Sequence, residues 1–455
     1  MLAEKSMKIK NEELSGRIQQ LHKDYELEFH YFNKPSSIDN LIKSIEINVK
    51  NSISVDIETT GLDIIRDRML GIVIGLNTKK ALYISVRDWN EDDIVYLIKS
   101  INSLPNKKIM HNMHFDMSFT GARYNIQLHA DYDTMIYAYC LFTEFVYNKI
   151  SISLKEMTRR FLPYGDYEAD LLDFKKQYTK EHKMKQEDFS YELIPEDMLS
   201  AYACMDGIAT LVLFNKFMKK KIEEVNKGWE KLDSLLELKH KVTYVYNKIK
   251  INGFTIDRDM VKKLHSEWSE KIDIILKELL SMKEIKISES IIKRKILKKA
   301  QEKRKSLLPL TRCRKLWKES NFNFNSSDHL KILFYEVLKL PVTKKTDKGE
   351  PSTDSEVIEN FASQGIEFMT KLNEYSTYVK GIDGFLGIDT GKGLWKFTDD
   401  SHSIVHSNYN HCGTVSSRVA CTEPNKSQVP SRGELKKIKK CYVARKDYNI
   451  LGFDK

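Results

Sequence analysis

The chain has 455 residues, 41% apolar and 10% aromatic, with 19 Gly and 9 Pro. That is enough apolar mass for about three domain cores and too little Pro and Gly for a long disordered linker. No run approaches the ~18 apolar residues of a membrane span, and the charged start MLAEKSMKIKNEELSGRIQQ is unlike a signal peptide, so a soluble protein of the cytoplasm, with no membrane partner, is expected. The six cysteines lie far apart without a CxxC pair, which points to reduced thiols rather than a zinc site or a disulfide framework.

In chain order, residues 1–24 are expected to form a helical extension. Residues 25–220 alternate between strand and helix: NSISVDIETTG, RMLGIVIGL and KALYISV read as strands, and EDDIVYLIKSI has helical spacing. From Trp229 the pattern is helical, with apolar positions three and four apart up to the stop signal Asn252-Gly253 and a second long helix from Asp257. Residues 281–320 hold ten Lys and four Arg against four Glu, a local excess equal to the whole chain's +10. A compact basic stretch beside a balanced remainder is the footprint of a polyanion such as nucleic acid, with a solvated lysine-rich face as the plain alternative. Two long helices with a basic end suggest an arm over 229–320 that grips a duplex. Past Asn321 the chain turns mixed, and KKTDKGEPSTD and GIDTGKG mark loops.

Asp56 and Glu58 in SVDIETTGLD lie two apart on a predicted strand, so both project to one face and can share a cation. HNMHFDMSF places Asp116 four residues after Asn112, and DYDTMIYAYCL brings Asp133, which either ligates or caps and orients. YACMDGIATLVLF sets Tyr202 and Asp206 one helical turn apart on one face. His111 and His114 are expected at the surface or behind the carboxylates rather than as ligands.

This set resembles the DEDD family of 3′–5′ exonucleases in its tyrosine subclass. The family's DxE falls on Asp56 and Glu58, its NxxxFD on Asn112, Phe115 and Asp116, and its YxxxD on Tyr202 and Asp206. The resemblance implies a ribonuclease H-like α/β domain over 25–220, a mixed sheet with flanking helices. It also implies a catalytic set of Asp56, Glu58, Asp116, Tyr202 and Asp206, with Asn112 and Phe115 against the DNA. Four carboxylates supply oxygen ligands and charge for two hard cations, Mg²⁺ or Mn²⁺, which phosphodiester cleavage needs. Tyr202 would hold the attacking water, since a phenol of pKa ~10 is better suited to orienting it than to taking its proton.

TYVYNKIKINGFTID, FNFNSSDHLKILFYEVLKLPVTKKTDKGEPSTDSEVIENFA and GTVSSRVACTEPNKSQVPSRGELKKIKKCYVA are similar to the thumb and palm entry of family A DNA polymerases, the phage replicative members being nearest. The resemblance implies a helical thumb with a basic arm over 229–320 and the start of an incomplete α+β palm over 321–455. By position, Arg418 matches an arginine on the primer strand, and Asn425 and Gln428 match polar groups near the minor groove, where acceptors recur at every base pair. Ser417 stands where the family has glycine. NILGFDK matches the start of the first polymerase motif and puts Asp454 on its metal-binding aspartate. The resemblance thus implies a proofreading exonuclease on DNA 3′ ends and primer-template duplex, acting in replication in a bacterial or phage-infected cell. Primer extension would depend on a C-terminal polymerase polypeptide. Lys293, Arg294, Lys298, Lys299 and Arg304 of the basic arm would contact either DNA or a processivity factor. Two other readings are a stand-alone DEDD exonuclease on RNA or DNA and a non-catalytic DNA-binding clamp, the latter disfavoured because a binding module gains nothing from repelling acids.

Overall fold

The computed structural model describes residues 6–14, 16–49, 51–302, 308–318 and 321–451. Arg304 and Asp454 lie outside the described residues. The chain divides into two compact units, Met1–Gly253 with Asn408–Thr422, and Phe254–Ser407 with Glu423–Lys455.

The first unit is built on a seven-stranded mixed sheet. Its strands are β1 (Met7–Ile9), β2 (Glu28–Phe32), β3 (Ile53–Thr59), β4 (Met69–Gly75), β5 (Lys80–Ser85), β6 (Lys108–Met110) and β7 (Tyr132–Asp133), in the order β1-β2-β5-β4-β3-β6-β7. β3, β4 and β5 run antiparallel in sequence, while β6 joins β3, β7 joins β6 and β2 joins β5 in parallel. Every residue of β4 is buried, as expected of a strand covered on both faces. The helix Glu91–Ser103 shows why a flanking helix forms where it does. The Asn90 side chain accepts from Asp93 N at 2.9 Å, three acids occupy the first turn, and Ile94, Leu97, Ile98 and Ile101 form the buried stripe.

The expected N-terminal helical extension is corrected in one respect. Met7–Ile9 pair antiparallel with β2 and lengthen the sheet, with Ile9 buried, before the helix Gly16–Asp24 begins. The helix Glu196–Asn226 packs across β3, β4 and β5. It is the one helix among the described residues long and apolar enough to cross a membrane, yet 83% of its apolar window is buried in this unit.

The expected arm over 229–320 is divided between the units. The helix Leu232–Asn252 stays with the first because Leu232, Leu236, Thr243 and Asn247 are buried there, Ser118 Oγ donates to Asn247 Oδ1 at 2.7 Å, and Asp133 N donates to His240 Nε2 at 3.2 Å. The chain leaves that helix at Gly253, whose φ of 60° suits a residue without Cβ. The hairpin of β10 (Asn408–Asn410) and β11 (Ala420–Thr422) also belongs to the first unit: Lys239 Nζ donates to His411 O at 2.7 Å and Tyr139 OH to Thr414 O at 2.8 Å. The span expected as palm is therefore interrupted by a segment that shares the first unit's core.

The second unit is mainly helical. A small sheet places β8 (Phe254–Ile256) between β9 (Ile404–Val405) and β12 (Tyr442–Val443). Trp268, Leu279, Phe334, Phe361, Met369, Tyr378 and Ile438 are buried in its core. Helix starts follow side-chain caps: Asp257 accepts from Met260 N at 2.9 Å, and Asp354 from Val357 N at 3.1 Å. The basic segment forms the helices Lys283–Glu302 and Leu310–Lys318. All six cysteines are free thiols.

Candidate active site

β3 carries the first two acids. The pleat puts Asp56 and Glu58 on the same face, opposite Val73 and Gly71 of β4, and the register shifts between Glu58 and Thr59 as the strand ends. A side chain at position 71 would have its Cβ 2.3 Å from the ring of Tyr83, so glycine is required there.

The helix Glu196–Asn226 brings the next pair. Tyr202 and Asp206 lie one turn apart on its buried face. The helix approaches the sheet closely where two glycines meet: a Cβ on Gly207 would lie 3.2 Å from Gly75 N, and Ser54 Oγ donates to Gly207 O at 2.6 Å. This contact, immediately after Asp206, sets the height of its carboxylate above β3.

Asp116 arrives on the helix Met113–Tyr124 and accepts from Ile57 N at 3.1 Å, between the two β3 acids in sequence. That helix starts from Asn112 in the left-handed conformation, φ 64°, which asparagine tolerates better than most residues. Asp133 is a cap and an orienting group. Its carboxylate accepts from Asn112 N and Met113 N, each at 2.9 Å, and from Met135 N at 2.8 Å, fixing the starts of two helices at once.

The outcome is a cluster in which ligand oxygens of Asp56, Glu58 and Asp206 all lie within 4.8 Å of one another. Asp116 lies close enough to Asp56 for the two carboxyl groups to interact directly. Glu58, Asp116 and Asp206 are buried, while Asp56 is partly exposed. Crowded anions out of water favour protonation. Burial, then the charge of Asp206, pushes Asp56 up to about 6, and burial followed by the charge of Asp56 holds Glu58 and Asp116 well above the usual carboxylate range. Hard oxygen donors that repel one another until a cation arrives fit a divalent metal centre. Tyr202 is buried, and its phenol is held well above its ordinary value by burial, Asp206 and Glu58, so it stays a protonated donor. Lys155, whose place in SLKEM carries no sequence signal for a site, completes the cluster. It pairs with Asp206 and donates to Tyr167 OH at 3.1 Å, and Tyr167 OH in turn donates to Asp206.

His111 and His114 flank this group without joining it. His111 Nδ1 lies 2.8 Å from Thr134 Oγ1, and burial lowers the two imidazoles to about 4 and about 3 respectively, so both are neutral near pH 7. They are half-buried rather than surface residues. Phe115, immediately before Asp116, is half-buried against Phe119 at a centroid distance of 5.9 Å.

The residues expected to contact duplex are divided between the two units. Arg418 is exposed on the β10–β11 hairpin of the first unit, and Ser417 beside it adopts φ 58°, the conformation that glycine takes most easily. Tyr139 OH lies 2.8 Å from Ser417 Oγ and braces that turn. Asn425 and Gln428 belong to the second unit and line a cleft of ≈ 230 Å³ with Lys380 and Tyr442. On the helix Lys283–Glu302, Arg294, Lys298 and Lys299 are exposed, whereas the Lys293 side chain is only 17% exposed and lies 3.9 Å from Glu289. Lys293 is thus less available to a polyanion than its neighbours.

Comparison with known proteins assigns both ends of the chain. Residues 29–222 match the family model described as 3'-5' exonuclease, and residues 293–454 match that of DNA polymerase family A. The chain is similar to family A, DNA polymerase I-like proteins over most of its length, with a match to their 3′–5′ exonuclease domain in its first half. It is 27% identical over 442 residues to the DNA polymerase of Escherichia phage T5, covering 92% of this chain and 45% of that protein. It is 24% identical over 342 residues to the DNA polymerase of Bacillus phage SP01, covering 71% and 34%. DNA polymerase I of Borreliella burgdorferi is 24% identical over 421 residues, covering 89% and 38%. The chain thus spans less than half the length of these relatives. In fold it resembles the POL domain of Pol1 from M. smegmatis, solved in complex with DNA primer-template and dNTP, with a TM-score of 0.62, 16% identity, and coverage of 92% of this chain and 59% of that one.

Proposed function

We propose that the first unit is a 3′–5′ exonuclease that removes nucleotides from DNA 3′ ends and proofreads for a family A polymerase. The observation that carries this reading is the convergence of the Asp56, Glu58 and Asp206 carboxylates, with Asp116 held against the same strand by Ile57 N and Tyr202 one turn from Asp206 on its helix. Asp56, Glu58, Asp116 and Asp206 would together supply the oxygen ligands for two such ions. Mg²⁺ or Mn²⁺, when bound, supplies the Lewis-acid charge that phosphodiester hydrolysis requires. The phenol of Tyr202 orients the attacking water as a hydrogen-bond donor, because its raised pKa rules it out as a base near neutral pH. Phe115 offers a ring against which a terminal base can stack.

Residues 293–454 would contribute the opening part of a polymerase domain, with Arg418, Asn425 and Gln428 on the primer-template minor groove and Asp454 on a polymerase metal. Primer extension is proposed only together with the polymerase residues that the relatives carry beyond the matched part, on the same or a second polypeptide. Arg294, Lys298 and Lys299 are proposed to meet DNA phosphates, with a processivity factor as the other candidate for that face. The site of action would be the cytoplasm of a bacterial or phage-infected cell.

The test uses 5′-labelled DNA and RNA oligonucleotides of one sequence with Mg²⁺ or Mn²⁺. Stepwise shortening of DNA from the 3′ end, abolished by chelator, is the expected result. Faster trimming of RNA than of DNA, or internal cuts, would overturn the assignment.

A further inference from the structure

Lys155 follows the N-cap Ser153 and lies in the first turn of the helix Leu154–Phe161, a position that fixes its backbone and leaves a four-carbon stem free to turn. Its ammonium pairs with Oδ1 of Asp206 and lies over two aromatic rings, 4.1 Å from the centroid of Tyr202 and 4.4 Å from that of Tyr167. The hydroxyl of Tyr167 bonds both partners, accepting from Lys155 and donating to Asp206. The side chain is only 17% exposed.

This cage sits where charge is most contested. Asp206 is one of the three acids whose oxygens converge, and the positive charge of Lys155 also reaches Asp56 and Glu58. A divalent ion held by Asp206 and Asp56 would stand within a few Å of an ammonium that already occupies the same carboxylate. Two cations at that spacing in a partly buried site repel each other strongly, since little water lies between them to screen the charges. One of them must give way, and the flexible ammonium is the one that can move without breaking the fold.

We propose that Lys155 is a displaceable internal counter-ion of the exonuclease centre. In the metal-free protein it neutralises Asp206 and keeps the acid cluster folded, and a divalent ion must displace it to bind there. Lys155 therefore lowers the site's affinity for metal and helps set the metal concentration at which the nuclease turns on. It is a positioning residue, acting through Asp206 and through the ring of Tyr202. The inference rests on reading the cluster as a metal centre.

The experiment is calorimetric titration of the metal-free full chain with Mn²⁺, without nucleic acid, on the wild type and on Lys155→Met, Lys155→Gln and Lys155→Arg. The expected result is a roughly tenfold tighter Mn²⁺ dissociation constant for Lys155→Met and Lys155→Gln, and wild-type-like affinity for Lys155→Arg, which keeps the charge. The two neutral variants should also lose melting temperature without metal and regain it with Mn²⁺. If one neutral variant fails to fold, the other, compared with Lys155→Arg, still decides the matter. Mn²⁺ affinity in a folded neutral variant equal to or weaker than wild type overturns the role of Lys155 alone. Absence of Mn²⁺ binding by the wild type overturns the metal-centre reading beneath it.

Discussion

The first unit keeps its acids inside, gathered from β3 and two helices into a cluster whose oxygens lie within 4.8 Å of one another, while the second carries its basic residues on the outer face of Lys283–Glu302. Inside, every group must be held in place, because a buried charge without a partner costs several kcal/mol. Asp133 caps two helix starts, Gly75 and Gly207 let a helix approach the sheet, and Lys155 supplies an ammonium. Outside, Arg294, Lys298 and Lys299 need no such frame, since solvated charges act through their sum rather than their geometry. The first arrangement suits chemistry on a fixed atom and the second suits retention of a long polyanion.

Substitutions can break this comparison. Tyr202→Phe keeps the ring under Lys155 and removes the hydroxyl. Cleavage of a single-stranded 3′ end should slow about tenfold to a hundredfold with the DNA dissociation constant unchanged, measured in single-turnover assays. An unchanged rate would leave Tyr202 with a packing role only.

Replacing Arg294, Lys298 and Lys299 together by Ala should weaken binding to a primed duplex by about tenfold near physiological salt. The slope of log affinity against log salt should fall by about two to three, as for the loss of that many phosphate contacts. The single-turnover rate on a bound short single strand should stay the same. A weaker affinity with an unaltered salt slope would speak for contacts other than phosphates.

A smaller effect concerns pH. The carboxyl of Asp56 is raised in the folded chain to about 6. The cost of ionising it in the fold is therefore absent below its unfolded value and fully present above ~6. Protons compete with the cation below that value and cease to above it. The increase in melting temperature given by Mn²⁺ should consequently grow between pH 5 and pH 8, read by differential scanning calorimetry. A constant increment would mean that the ion binds elsewhere.

The contrast also explains what was legible in the sequence. Period-two alternation and short spacings were enough to place Asp56 with Glu58 on one strand face and Tyr202 above Asp206 on one helix face, because these relations are local. The alternating elements of 25–220 were equally local. Lys155 and Tyr167 were not visible: their importance arises from distance in space, and SLKEM reads as an ordinary helix start. The glycine contact beneath Asp206 was hidden for the same reason. Helical periodicity in Leu232–Asn252 revealed a helix but not which core it would serve, and only the burial of Leu236 and Asn247 decided that. Ser417 illustrates the converse: serine in place of the family's glycine retains the left-handed backbone at φ 58°.

The four acids carry the proposed chemistry, and the most direct measurement is the cleavage rate of the Asp56→Ala, Glu58→Ala double variant on a 3′-terminal single-stranded DNA with saturating Mg²⁺. The double variant should retain duplex binding and the wild-type circular dichroism spectrum while losing cleavage by roughly 10³-fold or more, the scale of removing preorganised charge from a reacting centre. Cleavage at a rate near that of the wild type by a correctly folded double variant would contradict the metal centre, and with it the proofreading reading of the first unit.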